Sequence, residues 1–186
     1  MRGQRLFWRL FMSYLFIALA ALMLSGWYGE GILRELYFDQ VDASLEARAR
    51  LLIRDAKPLI ESGDYQAVNR LCMAQAEAVN EGQSVRTRIT IVLPDGKVIG
   101  DSDKDSNRMD DHSRRPEILK AFSGEVGRST RPSDTIGSDL RYVAVPFAVG
   151  DSTYAVTRTA IPVTELDRTL KAIRRNLLLN GLFAAV

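Results

Sequence analysis

The feature that most constrains this chain is an apolar segment near its start, residues 10–29, which carries no charged side chain. Its sequence is LFMSYLFIALAALMLSGWYG. About 20 helical residues are enough to cross a hydrocarbon core of roughly 30 Å, so this segment is predicted to be a transmembrane helix. Trp27 and Tyr28 stand where an interfacial aromatic belt is expected.

The charges on either side of this segment predict its orientation. Arg2, Arg5 and Arg9 precede it, and Glu30 follows it. Because basic flanks stay on the cytoplasmic side, we expect residues 1–9 to be cytoplasmic and the chain from residue 30 onward to be extracytoplasmic. A cleaved signal peptide is the alternative, but Leu24-Ser25-Gly26 followed by two bulky aromatic residues is a poor cleavage site.

The other end of the chain, residues 176–186, is also apolar and has the sequence NLLLNGLFAAV. As a helix it would reach only about 16 Å, too short to cross a membrane. An amphipathic surface helix is an alternative, but the apolar residues run all round rather than along one stripe. We interpret the segment as the start of a second transmembrane helix, truncated at Val186.

Between these segments, residues 30–175 carry all 23 acidic residues and most of the basic ones. The near balance of charge and the ordinary apolar content predict a folded extracytoplasmic domain, and we expect no nucleic-acid partner. The single cysteine, Cys72, rules out an internal disulfide framework. It falls in a helical pattern and is interpreted as a core residue, with a cross-subunit disulfide as the alternative.

Two helices open this domain. Apolar residues recur at three- and four-residue steps, which predicts a long helix over residues 32–60 that Pro58 could kink or end. Ser62-Gly63-Asp64 supplies a stop followed by an N-cap, and a second helix is predicted over residues 64–80.

Over residues 86–161 the sequence pattern changes from that of helices to the alternating, β-branched pattern that is typical of strands. Pro94-Asp95-Gly96 predicts the turn of a β-hairpin, Arg115-Pro116 the start of a short helix, and three more strands follow. Residues 163–175 return to a helical pattern and form a predicted exit helix. The element order fits an α+β fold, a five-stranded antiparallel sheet with helices, which is the order of PAS-like (PDC/Cache-type) extracytoplasmic sensor domains.

The acidic stretch at residues 101–112, DSDKDSNRMDDH, is similar to the loop of a calcium-binding helix–loop–helix. Two decisive positions fail, since Ser106 replaces the glycine at position six and His112 replaces the bidentate glutamate at position twelve. A looser divalent-cation site on Asp101, Asp103 and Asp105 remains open, because hard cations prefer such oxygen ligands. The alternative is a loop of turn-forming residues that covers one face of the sheet, with Asp111 or Ser113 capping the following helix.

An anionic ligand on that face of the sheet would need hydrogen-bond donors from the protein. The guanidinium fork suits carboxylate or phosphate, and near-neutral titration makes a histidine a possible pH sensor. The candidate ligand-binding residues are His112, Arg114, Arg115, Arg131, Arg141 and Tyr142. The alternative is an ordinary solvated surface with local Asp–Arg pairing, which contributes little to stability.

Several motifs resemble the extracytoplasmic sensor of bacterial membrane histidine kinases, and most closely the phosphate-regulon sensor kinases. They are DGKVIGDSD (residues 95–103), MDDH (109–112), RPE (115–117), GEVGRS (124–129) and YVAVP (142–146). This resemblance implies an input region in the bacterial inner or plasma membrane, without catalytic residues or a cofactor of its own. A kinase core beyond Val186 would use ATP and magnesium and phosphorylate a response regulator.

The resemblance further implies a homodimer, in which a ligand shifts the arrangement of the helices that enter the membrane. The stimulus could be a small anion or a partner protein of the envelope or of a transporter. The same sensor type also serves chemoreceptors and cyclic-dinucleotide enzymes, and a non-signalling membrane-tethered dimer is a further alternative. A hydrolase is not expected, because no nucleophile–base motif or zinc spacing is present.

Overall fold

The computed structural model describes residues 2–83, 85–133, 137–149 and 153–163, together with Arg175. The chain divides into two compact units, one formed by Met1–Asp39 with Glu165–Val186 and one by Gln40–Thr164. The predicted exit helix at 163–175 and the predicted second span at 176–186 lie outside the described residues, apart from Val163 and Arg175.

The first helix, α1 (Arg2–Glu61), contains both the apolar segment and the predicted long helix. Large apolar side chains are exposed along its first half, including those of Leu22, Met23 and Trp27. By length and composition, this is the one helix among the described residues that could cross a membrane. Pro58 is accommodated inside α1, which ends a few residues later where Gly63 adopts a φ of 74°.

The second helix, α2 (Tyr65–Asn80), begins at its predicted cap. The Asp64 carboxylate accepts a hydrogen bond from the backbone N–H of Ala67 at 2.9 Å, which satisfies one of the free donors of the first turn. Val68, Cys72 and Ala76 follow at four-residue spacing and form the buried stripe of this helix. Cys72 is therefore a core residue, and burial together with the charge of Asp101 raises the pKa of its thiol to about 12.

Five antiparallel strands form one sheet in the order β2-β1-β5-β4-β3. The structure thus confirms the predicted fold class, a five-stranded antiparallel α+β fold with a long N-terminal helix. The strands are β1 (Arg88–Val92), β2 (Val98–Asp101), β3 (Gly127–Pro132), β4 (Asp139–Val149) and β5 (Thr153–Pro162). A short 3-10 turn (Ser106–Arg108) and helix α3 (Pro116–Phe122) lie between β2 and β3.

Both faces of the sheet are covered, which is why every residue of β1 is buried. One side, here called the helical face, packs on α1 and α2 through apolar side chains, among them Leu52, Val68, Ile89, Ile91 and Phe147. The other side, here called the polar face, packs on α3, where Ile118 and Ala121 contact Val92, Ala144 and Val156. The charged side chains that reach this second face distinguish it from the first.

Helix α3 begins differently from the sequence prediction. Its N-cap residue is Arg115, which makes no side-chain capping bond. Asp111 does not cap the helix. Its carboxylate instead accepts hydrogen bonds from the backbone N–H and the hydroxyl of Ser113, and so closes a local turn.

Two leucines of α1 give a matched test of this packing. Leu45 is 1% exposed and Leu51 is 75% exposed. We expect Leu45→Ala to lower the free energy of unfolding by roughly 2–5 kcal/mol, because it leaves a cavity, and Leu51→Ala to change it by less than about 0.5 kcal/mol. Urea unfolding of the chain in a mild detergent, followed by circular dichroism, measures both. Equal effects would contradict the packing of α1 against the sheet.

Candidate functional site

The polar face carries a group of charged and polar side chains contributed by all five strands and α3. This group, here called the ionic cluster, consists of Arg88, Thr90, Asp101, Glu117, Ser129, Arg131, Tyr142 and Arg158. Antiparallel pairing explains how residues so distant in sequence meet. Thr90 lies opposite Arg158 and Asp101, and Ser129 lies opposite Tyr142. Side chains at alternate positions of each strand therefore point to the same face.

Arg88 and Asp101 form a buried ion pair at one end of the cluster. The Arg88 Nε donates to both carboxylate oxygens of Asp101, at 3.2 and 3.1 Å, and the hydroxyl of Thr90 donates to Oδ2 at 2.8 Å. The Arg88 Nη2 also lies 3.0 Å from Oδ2. The N–H bonds of this nitrogen are not aligned for a hydrogen bond to Oδ2. Among the described residues, the buried Nη2 therefore has no hydrogen-bond partner.

Glu117 is the acceptor at the other end, and its residue surface is 0% exposed. Arg131 donates to both of its carboxylate oxygens, at 2.9 and 3.4 Å, while the Ser129 hydroxyl and Arg158 add bonds of 2.7 and 3.3 Å. Burial acts to raise the pKa of Glu117. The bonds from Arg131 and Ser129 and the charge of Arg158 outweigh it and lower the pKa to about 2.

Arg158 and Tyr142 connect the two ends. Arg158 donates to Thr90 at 3.1 Å and to Glu117, and it is fully enclosed. Burial lowers the pKa of its guanidinium, partly offset by the charge of Glu117 and reinforced by that of Arg88. The Tyr142 ring lies against two guanidiniums, 4.2 Å from that of Arg131 and 5.0 Å from that of Arg158. These distances are in the range of cation–π contacts.

His112 borders the cluster and is 7% exposed. Its Nδ1 lies 2.7 Å from the carbonyl oxygen of Asp110, an acceptor, so this nitrogen carries the proton in the neutral ring. Burial, followed by the charge of Arg158, lowers the pKa of His112 to about 4. The ring is therefore neutral at neutral pH, and it does not titrate in the range that a physiological pH sensor requires.

The structure brings three of the six candidate ligand residues together. Arg131 and Tyr142 belong to the ionic cluster and His112 borders it, and the charge of Arg115 contributes to the lowered pKa of His112. Arg114 is exposed. As ligand-binding residues, all of these remain predictions.

Arg141 lies on the opposite face, because adjacent strand residues alternate in direction. Its guanidinium forms a bidentate pair with the carboxylate of Asp42 on α1, at 2.7 and 2.6 Å. Arg128 contacts the same carboxylate at 3.3 Å and that of Glu46 at 2.8 Å. These four residues, here called the α1 ion-pair group, attach α1 to strands β3 and β4.

The aspartates of the candidate cation site are not gathered into one group. Asp101 is buried and paired with Arg88, and its Oδ1 also accepts the backbone N–H groups of Asp103 and Lys104. The side chains of Asp103 and Asp105 are exposed. Among the residues that the structure describes, no three histidine, cysteine or carboxylate side chains are arranged to hold a metal ion.

Three central residues of the cluster were not among the sequence candidates, namely Arg88, Arg158 and Glu117. A usable signal existed for Arg158, which interrupts a strand of mostly apolar and β-branched residues, whereas Arg88 stands at the start of its strand, where a charged residue is unremarkable. Glu117 gave no such signal, because an acidic residue in the first turn of a helix is common on solvated surfaces.

The α+β fold is similar to that of a solved sensor domain. The sensor domain of the histidine kinase DctB from V. cholerae superposes with a TM-score of 0.58 at 17% identity, over 81% of this chain and 58% of that one. The E. coli DcuS sensor domain gives a TM-score of 0.48 at 17% identity, over 72% and 96%.

The ligand-binding domain of the amino acid chemoreceptor PctB from Pseudomonas aeruginosa PAO1 gives a TM-score of 0.42 at 15% identity, over 68% of this chain and 57% of that one. The chain thus spans 58% of the length of the DctB structure. No family model and no curated protein matches it. At these identities, the similarity to solved structures is one of fold.

The buried histidine gives a test of the environment of the cluster. The unfolded chain binds a proton at His112 near pH 6.5, whereas the folded chain binds it only near pH 4. Stability is therefore expected to fall as the pH drops from 6.5 to 4, by at most about 3 kcal/mol from this residue. His112→Asn, whose amide can replace Nδ1 as a donor, should flatten that part of a urea-unfolding pH profile. An unchanged slope, equal to that of Leu51→Ala, would show that His112 is not held neutral by burial.

Proposed function

We propose that this chain is the signal-input region of a bacterial membrane receptor, with the sensor domain outside the cytoplasm and a histidine kinase as its output. The observation that carries this proposal is the β2-β1-β5-β4-β3 sheet of the sensor-domain fold, preceded by an apolar helix segment of spanning length. The phosphate-regulon group is the proposed subfamily, on the strength of the sequence motifs. An envelope or transporter protein is then as suitable a partner as a small anion.

The proposed output uses components outside residues 1–186. These are ATP and magnesium at a kinase core, a cognate response regulator, and a second copy of the chain in a homodimer. A receptor of this kind responds when a ligand favours one arrangement of the two subunits over another. A shift from 1:99 to 99:1 requires about 5.5 kcal/mol of differential binding, which is on the order of a few charge-assisted hydrogen bonds per subunit.

The α1 ion-pair group supports a route from the sheet to α1. The bidentate Asp42–Arg141 pair joins α1 to β4, and the Thr159 hydroxyl of β5 donates to the carbonyl oxygen of Leu45 at 2.9 Å. These two strands also belong to the ionic cluster, because β4 carries Tyr142 and β5 carries Arg158 on the opposite face of the sheet. A ligand that displaces these strands would therefore also act on α1 through these contacts.

A cysteine-labelling experiment tests the topology. The native Cys72 is buried and its thiol is unreactive, so it gives no background. We expect an exposed cysteine at Glu125→Cys to react with a membrane-impermeant maleimide in intact spheroplasts. Gln4→Cys, placed before the apolar segment, should react only after permeabilisation. The reverse pattern, or protection of both positions, would exclude an extracytoplasmic domain.

A hybrid receptor tests the coupling and the output class. Residues 1–186 would be joined to the kinase core of a characterised histidine kinase, and phosphorylation of its response regulator measured in membranes. We expect Asp42→Asn to change the basal output by roughly tenfold, because a charge-assisted hydrogen bond is worth about 1.5–3 kcal/mol and a factor of ten corresponds to 1.4 kcal/mol. Glu125→Gln, on the exposed loop before β3, is the control. Equal outputs from the two variants would contradict a role of the ion-pair group in transmission.

A further inference from the structure

Glu117 occupies an arrangement of donors that has the form of a binding site for a small oxyanion. The two nitrogens of Arg131 address both carboxylate oxygens, as a guanidinium fork addresses a free carboxylate. The Ser129 hydroxyl, at 2.7 Å, and Arg158, at 3.3 Å, complete the set. Four hydrogen bonds from three residues thus converge on one carboxylate group.

The donors and the acceptor belong to different kinds of element. Ser129 and Arg131 lie on β3 and Arg158 lies on β5, so the sheet holds the donors in place. The acceptor lies in the first turn of the seven-residue helix α3, whose N-cap residue makes no side-chain bond. The donors therefore belong to the sheet, and the acceptor belongs to the helix that covers it.

The backbone of α3 is placed for this role by a close approach to β3. A side chain at Gly127 would put its Cβ 1.9 Å from the carbonyl oxygen of Glu117, so only glycine permits the observed spacing. Further along α3, Ile118 and Ala121 pack on the sheet through apolar contacts that do not involve the carboxylate. Release of Glu117 would thus break the hydrogen bonds between its side chain and the sheet, while Ile118 and Ala121 stay packed on it.

A second buried guanidinium, that of Arg88, lies in the same cluster and forms an ion pair with Asp101. Arg88 is 5% exposed, and its Nη2 has no hydrogen-bond partner among the described residues. Arg158, one residue of the oxyanion site, is fully buried near this guanidinium. Arg131 keeps 19% of its side-chain surface exposed, so solvent reaches the site from this side.

We propose that Glu117 is an internal ligand of an oxyanion site formed by Ser129, Arg131 and Arg158, and that a small carboxylate from solution binds by replacing it. The exchange conserves the hydrogen bonds of the site and transfers the Glu117 carboxylate to water. Its consequence is the loss of the hydrogen bonds that attach the start of α3 to β3 and β5. As a regulatory step this rests on the proposed signal-input function, whereas the exchange itself is a property of the chain alone.

The tether sets the concentration that a competitor must reach. A group held by a short connection has an effective concentration on the order of mM, so a simple carboxylate must exceed this value to replace Glu117. A physiological ligand would reach it by adding contacts elsewhere on the polar face. Substitution of Glu117 by alanine removes the competing carboxylate. Binding of acetate to the oxyanion site can then be measured.

The decisive experiment is chemical rescue of Glu117→Ala. The full chain in a mild detergent would be melted in sodium acetate and in sodium chloride of equal ionic strength. Glu117→Ala should melt well below the parent chain, and acetate should raise its melting temperature by about 3 °C or more relative to chloride. Glu125→Ala, which removes an exposed carboxylate, is the matched control and should show no difference between the salts. An acetate effect on Glu117→Ala no larger than that on Glu125→Ala would overturn the proposal.

A second measurement covers the case in which Glu117→Ala does not fold. Hydrogen exchange of the parent chain in acetate well above the mM range should be faster at residues 117–120 than in chloride, with no change in α2. Equal exchange in the two salts would exclude displacement of Glu117. Since neither readout depends on topology or kinase output, failure of the oxyanion site can be distinguished from failure of the signal-input function.

Discussion

Charge compensation inside the polar face is the constraint on which the rest of this structure depends. Arg88 and Arg158 are removed from water in the middle of a sheet, where an unpaired charge would cost several kcal/mol. Asp101 at the end of β2 and Glu117 at the start of α3 supply the compensating carboxylates. The position of β2 beside β1, and that of α3 across β3 and β5, therefore follow from where these charges must be neutralised.

The two faces of the sheet differ in the interactions that hold them to their covering helices. The helical face is an apolar core with one charged margin, in which Asp42 and Arg141 fix α1 to β4. The polar face combines a small apolar patch under α3 with buried ions whose mutual attraction is balanced against their lost hydration.

Local signals in the sequence predicted the helices and strands, whereas the ionic cluster depends on pairing between strands that are far apart in the sequence. The Asp64 cap, the Gly63 stop and the turn after Leu93 each act within a few residues, so the helices and the hairpin could be placed. The Arg158–Glu117 contact joins residues 41 apart in sequence and exists only in the folded sheet. Arg141 and Tyr142 illustrate the same limit. Both were ligand candidates, but as neighbours on a strand they point to opposite faces of the sheet, and only the strand register decides which of the two faces the ionic cluster.

The outer strands of the sheet have a further consequence for how copies of this domain can associate. β2 has only four residues, while β3 carries Arg128 and Arg131 and ends at Pro132. Short, charged or proline-terminated edges are poor templates for strand addition by another chain. Copies of this domain can therefore be concentrated side by side without merging into a continuous intermolecular sheet, and any association between them has to use other surfaces.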